Sequence, residues 1–238
     1  MSPAARRGFI TGGSWCVDRN KLIEFWPEED GITEILSEDR RNGGSGSNFA
    51  IDMKRLDPAM PVETIAIVGD DDDGRFLMAE ADAYGIDRSR MAVSAAAPTH
   101  YTDCYGSKRS GRRTHMAYHG VGALLSPDHF DFSTSTARIA HLGLPGVHRI
   151  MESPWHGEAN GWVAALKKAR AAGLMTNLEL CSISPDRLAA LVRPCLPHLD
   201  LVIVNDHEIG AVAGIPTVLK SGTDIPACHD AAKARLDQ

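Results

Sequence analysis

The chain has 238 residues, 43% of them hydrophobic and 24% charged, with a net charge of −6 at pH 7. A chain of that length buries one sizeable core, so one large domain, alone or with a small companion, is expected. The acidic balance excludes a general nucleic-acid binder, which needs a basic face, but not phosphate ligands held by backbone N–H groups.

Phe9-Ile10 leads into Thr11-Gly12-Gly13, which suits a first buried strand running into a turn. Residues 14–42 mix apolar pairs with turn residues and predict short strands, broken at Pro27 to Gly31. A helix is expected from Ser47 or Asn48, with Phe49, Met53 and Leu56 on one face and Pro58 ending it. Thr64 to Val68 is a continuous apolar run, as in a strand covered on both faces. An acidic turn, Gly69 to Gly74, precedes a helix carrying Phe76, Leu77, Ala81 and Tyr84, with Gly85 at its C′ position. Residues 91–122 break this rhythm. Tyr101 to Tyr105 and Thr114 to Tyr118 predict two strands joined by a polar loop of hairpin type.

The strand–helix rhythm then returns. Arg138 to Leu142 predicts a strand, and Trp162, Leu166 and Ala169 mark a helix closed by Gly173. Leu174 to Leu180 is a strand, and Pro185 opens a helix with Leu188, Leu191 and Val192. Asp200 to Val204 is a further strand, followed by a short helix over Glu208 to Val212. The alternation implies an α/β fold with a mostly parallel sheet and helices on both faces. The interruptions at about 14–42 and 92–120 are expected to form a small second sheet beside it.

No run approaches membrane-spanning length, and the first ten residues lack the apolar core of a secretory signal. Five scattered cysteines without a Cys-x-x-Cys pair suggest reduced thiols and a cytoplasmic setting. A zinc site is not expected: His115 and His119 are four apart, but on an extended segment.

Two motifs carry most of the chemistry. Gly43-Gly44-Ser45-Gly46-Ser47-Asn48 precedes a helix. Its glycines allow close approach of backbone to ligand, and the Asn48 amide both donates and accepts, as sugar hydroxyls require. A flexible loop with a helix cap is the plainer alternative. It is neither a dinucleotide fingerprint nor a phosphate-binding P-loop. Asn205-Asp206-His207-Glu208 follows an apolar strand. A carboxylate there could orient water around Mg²⁺ and the Asn could bind phosphate, or the two could form a capping box. Asp18 follows the first strand and could accept from neighbouring sugar hydroxyls. Asp70 to Asp73 could attract a cation but more often form a solvated turn favouring the next helix. Asn177 and Glu179 end a strand and are candidates for polar lining.

In this order the motifs resemble the PfkB-type carbohydrate kinases of the ribokinase superfamily, from the first strand to about residue 235. Gly43, Gly44 and Asn48 match the family's Gly-Gly-x-x-x-Asn sugar loop, and Asp18 falls on its sugar-binding aspartate. Gly69-Asp70-Asp71 with Gly74 resembles its Gly-Asp-Asp-x-Phe-Gly turn, with Asp73 in place of the aromatic residue. Gly111-Arg112-Arg113-Thr114 resembles the turn between two lid strands. Asn205 and Glu208 match its Asn-x-x-Glu motif. Ser45 stands where ribokinase carries Lys, which disfavours ribose.

The resemblance implies a ribokinase-like fold with a small β-sheet lid. It implies ATP and Mg²⁺ as cofactors, phosphoryl transfer to a hydroxyl of a sugar or sugar-like substrate, and a possible homodimer through the lid. Asp18, Gly43, Gly44 and Asn48 would contact substrate, Asn205 phosphate and Glu208 the metal. The family's catalytic Gly-Ala-Gly-Asp segment is expected beyond Gln238, so residues 1–238 form an incomplete domain with no catalytic base and little activity alone. A non-catalytic sugar- or nucleoside-binding protein on the same fold is the main rival. Lid residues Thr99, Tyr101 and His119 are expected to bear on which sugar binds.

Overall fold

The computed structural model describes residues 6–181, 183–220 and 222–236. Five parallel strands form the main sheet: β1 (Phe9–Gly13), β4 (Val62–Gly69), β5 (Asp87–Ser94), β8 (Ile139–Gly143) and β9 (Met175–Leu178), in the order β5-β4-β1-β8-β9. Along β4, Ile65 and Ile67 enter one buried cluster and Ala66 and Val68 another. That alternation is the period of two of a strand covered on both faces. One cluster packs under α1 (Ser45–Leu56) and α2 (Asp72–Ala83). The other packs under α3 (Gly161–Ala171) and α4 (Pro185–Val192), around Phe130 and Trp162. The mostly parallel α/β sheet with helices on both faces is therefore as expected.

The second sheet is also present. β2 (Cys16–Ile23), β3 (Ile35–Gly43), β6 (Tyr101–Ser107) and β7 (Arg113–Tyr118) run in the order β3-β2-β6-β7. β2 pairs antiparallel with β3 and parallel with β6, and β6 pairs antiparallel with β7. The lid is fastened at two points. Asp73 at the start of α2 meets Arg19 of β2 at 2.8 Å and Arg40 of β3 at 3.0 Å. Asp71 caps α2 by accepting from Gly74 N–H, and also accepts from the N–H and hydroxyl of Thr99, where the chain enters β6.

Several local expectations are corrected. β1 continues through Gly12 and Gly13, which pair with Leu142 and Gly143 of β8; Gly12 serves packing, since a Cβ there would press on Phe130 and Leu142. α1 starts at Ser45 and buries Ala50 and Ile51, whereas Leu56 on the expected face is 79% exposed. β5 was hidden in the sequence by its charged alternation, Asp87-Arg88-Ser89-Arg90, which suits an edge strand. Asp200 to Val204 makes one β-bridge with the sheet, Leu201 opposite Asn177, beside bonds from Asp200 to Thr176, and Val202 and Ile203 are exposed. A continuous strand needs more pairing than that single bridge gives. α5 (Asp206–Ala213) follows, then a short hairpin of β10 (Val218–Leu219) and β11 (Gly222–Thr223), and α6 (Ile225–Leu236). Among the described residues no helix is long and apolar enough to cross a membrane.

Candidate functional site

The carboxyl ends of β1, β4, β8 and β9 share one edge of the sheet, where parallel α/β folds place their ligands. The turn Gly43-Gly44 crosses this edge from the lid into α1. Gly44 has φ +90°, open to glycine at little cost, and packs on the Ser14 carbonyl. Gly43 lies against Asp18: a Cβ there would overlap the carboxylate. The two are placed by the β2–β3 register, which pairs Cys16 with Gly43 and Asp18 with Arg41.

Burial pushes the Asp18 carboxyl up from its ordinary value, while the Cys16 thiol at 3.6 Å and the nearby His115 pull the other way. A desolvated carboxylate beside bare backbone is suited to accepting hydroxyl donors. Asn48 lies one turn into α1, exposed. Its backbone N–H bonds Gly44 O, and its side-chain amide has no protein partner among the described residues. Asp18, Gly43, Gly44 and Asn48 are thus gathered at one turn.

Beneath that turn runs a polar row that the sheet register builds. Thr64, Thr11, His141 and Asn177 are aligned across β4, β1, β8 and β9. The Thr11 and Thr64 hydroxyls are 2.8 Å apart, and Trp15 Nε1 donates to Thr64 at 2.9 Å. His141 lies under Phe49, with the rings stacked 3.9 Å apart. Its Nε2 is 2.7 Å from Glu179 Oε2 and its Nδ1 2.9 Å from Asn177 Nδ2. With Asn177 donating to Nδ1, the proton sits on Nε2 and is given to Glu179. Sequence reading had Asn177 and Glu179 as lining and missed His141. A histidine inside Ile-Ala-His-Leu-Gly, at the carboxyl end of a buried strand, is the signal that could have found it.

Asn205 and Glu208 sit at the start of α5 and form the capping box foreseen as their alternative role. Asn205 Oδ1 accepts from Glu208 N–H at 2.8 Å, and Glu208 Oε2 accepts from Asn205 N–H at 3.0 Å. Glu208 is buried, and burial followed by the Glu208 charge pushes the Cys181 thiol up to about 11. The acidic run does not gather into a metal site. Asp71 caps α2, Asp73 anchors the lid, and no cluster of three His, Cys, Asp or Glu able to hold a metal occurs among the described residues.

Two of the lid residues expected to bear on which sugar binds are placed as follows. Thr99 is committed to Asp71 and Gly69. Tyr101 lies opposite Val17, one residue out of phase with Asp18 and Thr102, and so points to the other face of the lid, under Arg19.

A sequence profile described as pfkB family carbohydrate kinase matches residues 15–237. The chain belongs to the pfkB family of carbohydrate kinases. Solved structures agree at the level of fold. The ribokinase of Giardia lamblia superposes with TM-score 0.76 at 18% identity, over 98% of this chain and 66% of that one. An Arabidopsis thaliana ribokinase, solved with ribose and ATP, gives 0.69 at 20%, over 96% and 69%. A PfkB protein from a Polaromonas species gives 0.71 at 18%, over 97% and 73%. The chain therefore spans roughly seven-tenths of the length of these pfkB-family and ribokinase structures. No functionally curated protein matches it significantly by sequence.

Proposed function

We propose that the protein serves ATP-dependent phosphoryl transfer to a hydroxyl of a sugar or sugar-like substrate. The observation that carries this reading is the Asp18 carboxylate packed on Gly43 at the glycine turn into α1, in a chain of this family. Asp18 accepts from substrate hydroxyls, Gly43 and Gly44 let the substrate lie against the backbone, and Asn48 donates and accepts at the rim. At the other end, Glu208 and Asn205 at the α5 N-terminus serve the metal and phosphate. A buried carboxylate such as Glu208 would suit Mg²⁺, which keeps much of its water shell and needs few protein ligands. When bound, Mg²⁺ neutralises phosphate charge, and the remaining work is positioning. The capping box holds Glu208 in one rotamer, so structural and metal-serving roles are compatible.

Residues 1–238 contain no Gly-Ala-Gly-Asp sequence, and a polypeptide of these residues alone is expected to bind sugar with little or no ATP consumption. The test is calorimetric titration of neutral sugars, with and without Mg·ATP, into wild type, Asp18→Ala and Glu208→Gln, beside an ADP-release assay. Sugar binding lost in Asp18→Ala and nucleotide binding weakened in Glu208→Gln is the expected result. Asp18→Ala binding sugar as wild type does would remove the sugar assignment. Sugar binding indifferent to Mg·ATP would favour the non-catalytic binding protein.

A further inference from the structure

Asp18 lies against Gly43 of the glycine turn, and a second acidic group, Glu179, lies near Ser45, the residue that follows the turn. Glu179 directly follows β9, and its backbone N–H donates to Leu142 O at 2.7 Å. That bond brings it beside Gly143, where a Cβ would stand 3.2 Å from Glu179 Cβ and 3.0 Å from Ser45 Oγ. The missing side chain at Gly143 thus lets Glu179 and the first residue of α1 approach the same point of the sheet edge closely. Ser45 is 4% exposed, and its hydroxyl has no hydrogen-bond partner among the described residues. A buried hydroxyl is costly to leave unpaired, so an orphan beside the glycine turn, at the carboxyl edge of the sheet, points to a partner that arrives with a ligand.

Glu179 itself is 41% exposed at the side chain, so its carboxylate is open to solvent just beyond the carboxyl end of β9. Oε2 is held by His141 Nε2, and Oε1 has no protein donor among the described residues. His141 is locked from three sides: stacked on Phe49, hydrogen-bonded to Asn177, and bonded to Glu179. A rotamer-rich carboxylate oriented by so well-packed a ring is arranged like a binding group rather than a solvated loop residue. Asn177 is 2% exposed; because the Glu179 carboxylate only accepts, a neutral His141 carries its proton on Nε2 and accepts at Nδ1, so donation runs from Asn177 to His141 to Glu179.

We infer that Glu179, with Ser45, is a second hydroxyl-accepting subsite, on the sheet side of the substrate, and that His141 is the residue positioning it. The inference rests on the sugar-binding reading above and narrows its substrate class. A ligand that spans Asp18 and Glu179 meets acceptors at both ends and must supply hydroxyl donors to both. Two carboxylates also repel a negative charge at either end. The substrate is therefore a neutral polyol or sugar rather than a sugar acid or a sugar already phosphorylated. The class of reaction that supplies it releases or imports free sugar.

The experiment is calorimetric titration with D-ribose, D-fructose, myo-inositol, D-gluconate and D-fructose 6-phosphate, against wild type, Asp18→Asn, Glu179→Gln and His141→Gln beside His141→Leu. Wild type is expected to bind at least one neutral probe and neither anion. Glu179→Gln should weaken the neutral probe by about tenfold or more, the usual effect of losing a charge-assisted hydrogen bond. It should also gain measurable binding of gluconate, a change that a merely structural role would not produce. His141→Gln, still able to donate to Glu179, should retain more affinity than His141→Leu. Glu179→Asp, which keeps the charge but shortens the reach, replaces any variant too unstable to titrate and should also bind more weakly. Neutral-probe affinity that depends on Asp18 but is unchanged in Glu179→Gln or Glu179→Asp would overturn this inference and leave the sugar reading standing. A wild type that binds no neutral probe, or binds it independently of Asp18, would overturn the sugar reading itself and this inference with it.

Discussion

Acid stability is the property on which the structure makes its most quantitative prediction. Where the lid joins the core, His100, His119 and His148 lie close together beside the apolar cluster that holds Trp162. The His100 and His119 rings are 5.5 Å apart, and His148 and Trp162 5.7 Å. His148 Nδ1 lies 2.7 Å from Gly122 O, while His148 Nε2, His100 Nδ1 and His119 Nδ1 are buried without partners among the described residues. Burial, then the neighbouring histidines, holds His100 down at about 3. Burial holds His148 down at about 4, partly offset by its bond to Gly122.

Both values lie below the unfolded histidine value, so the fold favours the neutral ring. Their contribution to stability is complete above about pH 6.5 and is lost progressively as pH falls toward 4 and 3. At pH 5 an unfolded histidine is almost fully protonated and either buried ring almost fully neutral, so each costs about 2 kcal/mol relative to pH 7. That figure barely changes whether the folded value is 3 or 4, because pH 5 lies above both. His148→Asn keeps an amide donor for Gly122 and removes the titration. Urea unfolding at pH 7 and pH 5 should show a loss of stability smaller by about 2 kcal/mol in the variant than in wild type. His100 stays almost fully neutral between pH 7 and pH 5, so its own contribution is nearly the same in both proteins. An identical pH 7-to-5 loss in the two proteins would refute the claim that His148 is held neutral by burial.

Gly43→Ala should destabilise the protein by about 1–3 kcal/mol, because the new methyl overlaps the Asp18 carboxylate. Adding Asp18→Gly should restore melting temperature but not sugar binding. Asn205→Ala removes the α5 cap and should cost about 1 kcal/mol by denaturant titration, whereas Glu208→Gln retains an acceptor for Asn205 N–H and should leave stability almost unchanged. Asp73→Ala releases Arg19 and Arg40, both well exposed, so the stability loss should be no more than about 1 kcal/mol. Faster amide exchange in β2 and β3 should be its main effect, and unchanged exchange would show that Asp73 does not fasten the lid.

Elements whose signal is local were legible in the chain. The β4 run, the α3 face of Trp162, Leu166 and Ala169, the Gly85 stop after α2 and the second sheet needed only periodicity and turn chemistry. So was the glycine turn, since positive φ at Gly44 is a backbone requirement that only glycine meets cheaply. What depended on pairing partners was not legible. β5 is written in charges because it is an edge strand, and Val202 and Ile203 are written as a strand but find no partner for one. The clearest case is His141. Alone in the sequence it is a histidine in an apolar run. Strand register sets it between Asn177 and Glu179, and α1 lays Phe49 on it. Composition and motif order determined the family and the residues at the turn. Only the tertiary structure, by bringing together groups 36 and 38 residues apart, decided that His141 is held between Asn177 and Glu179, because strand register and not local sequence sets those neighbours.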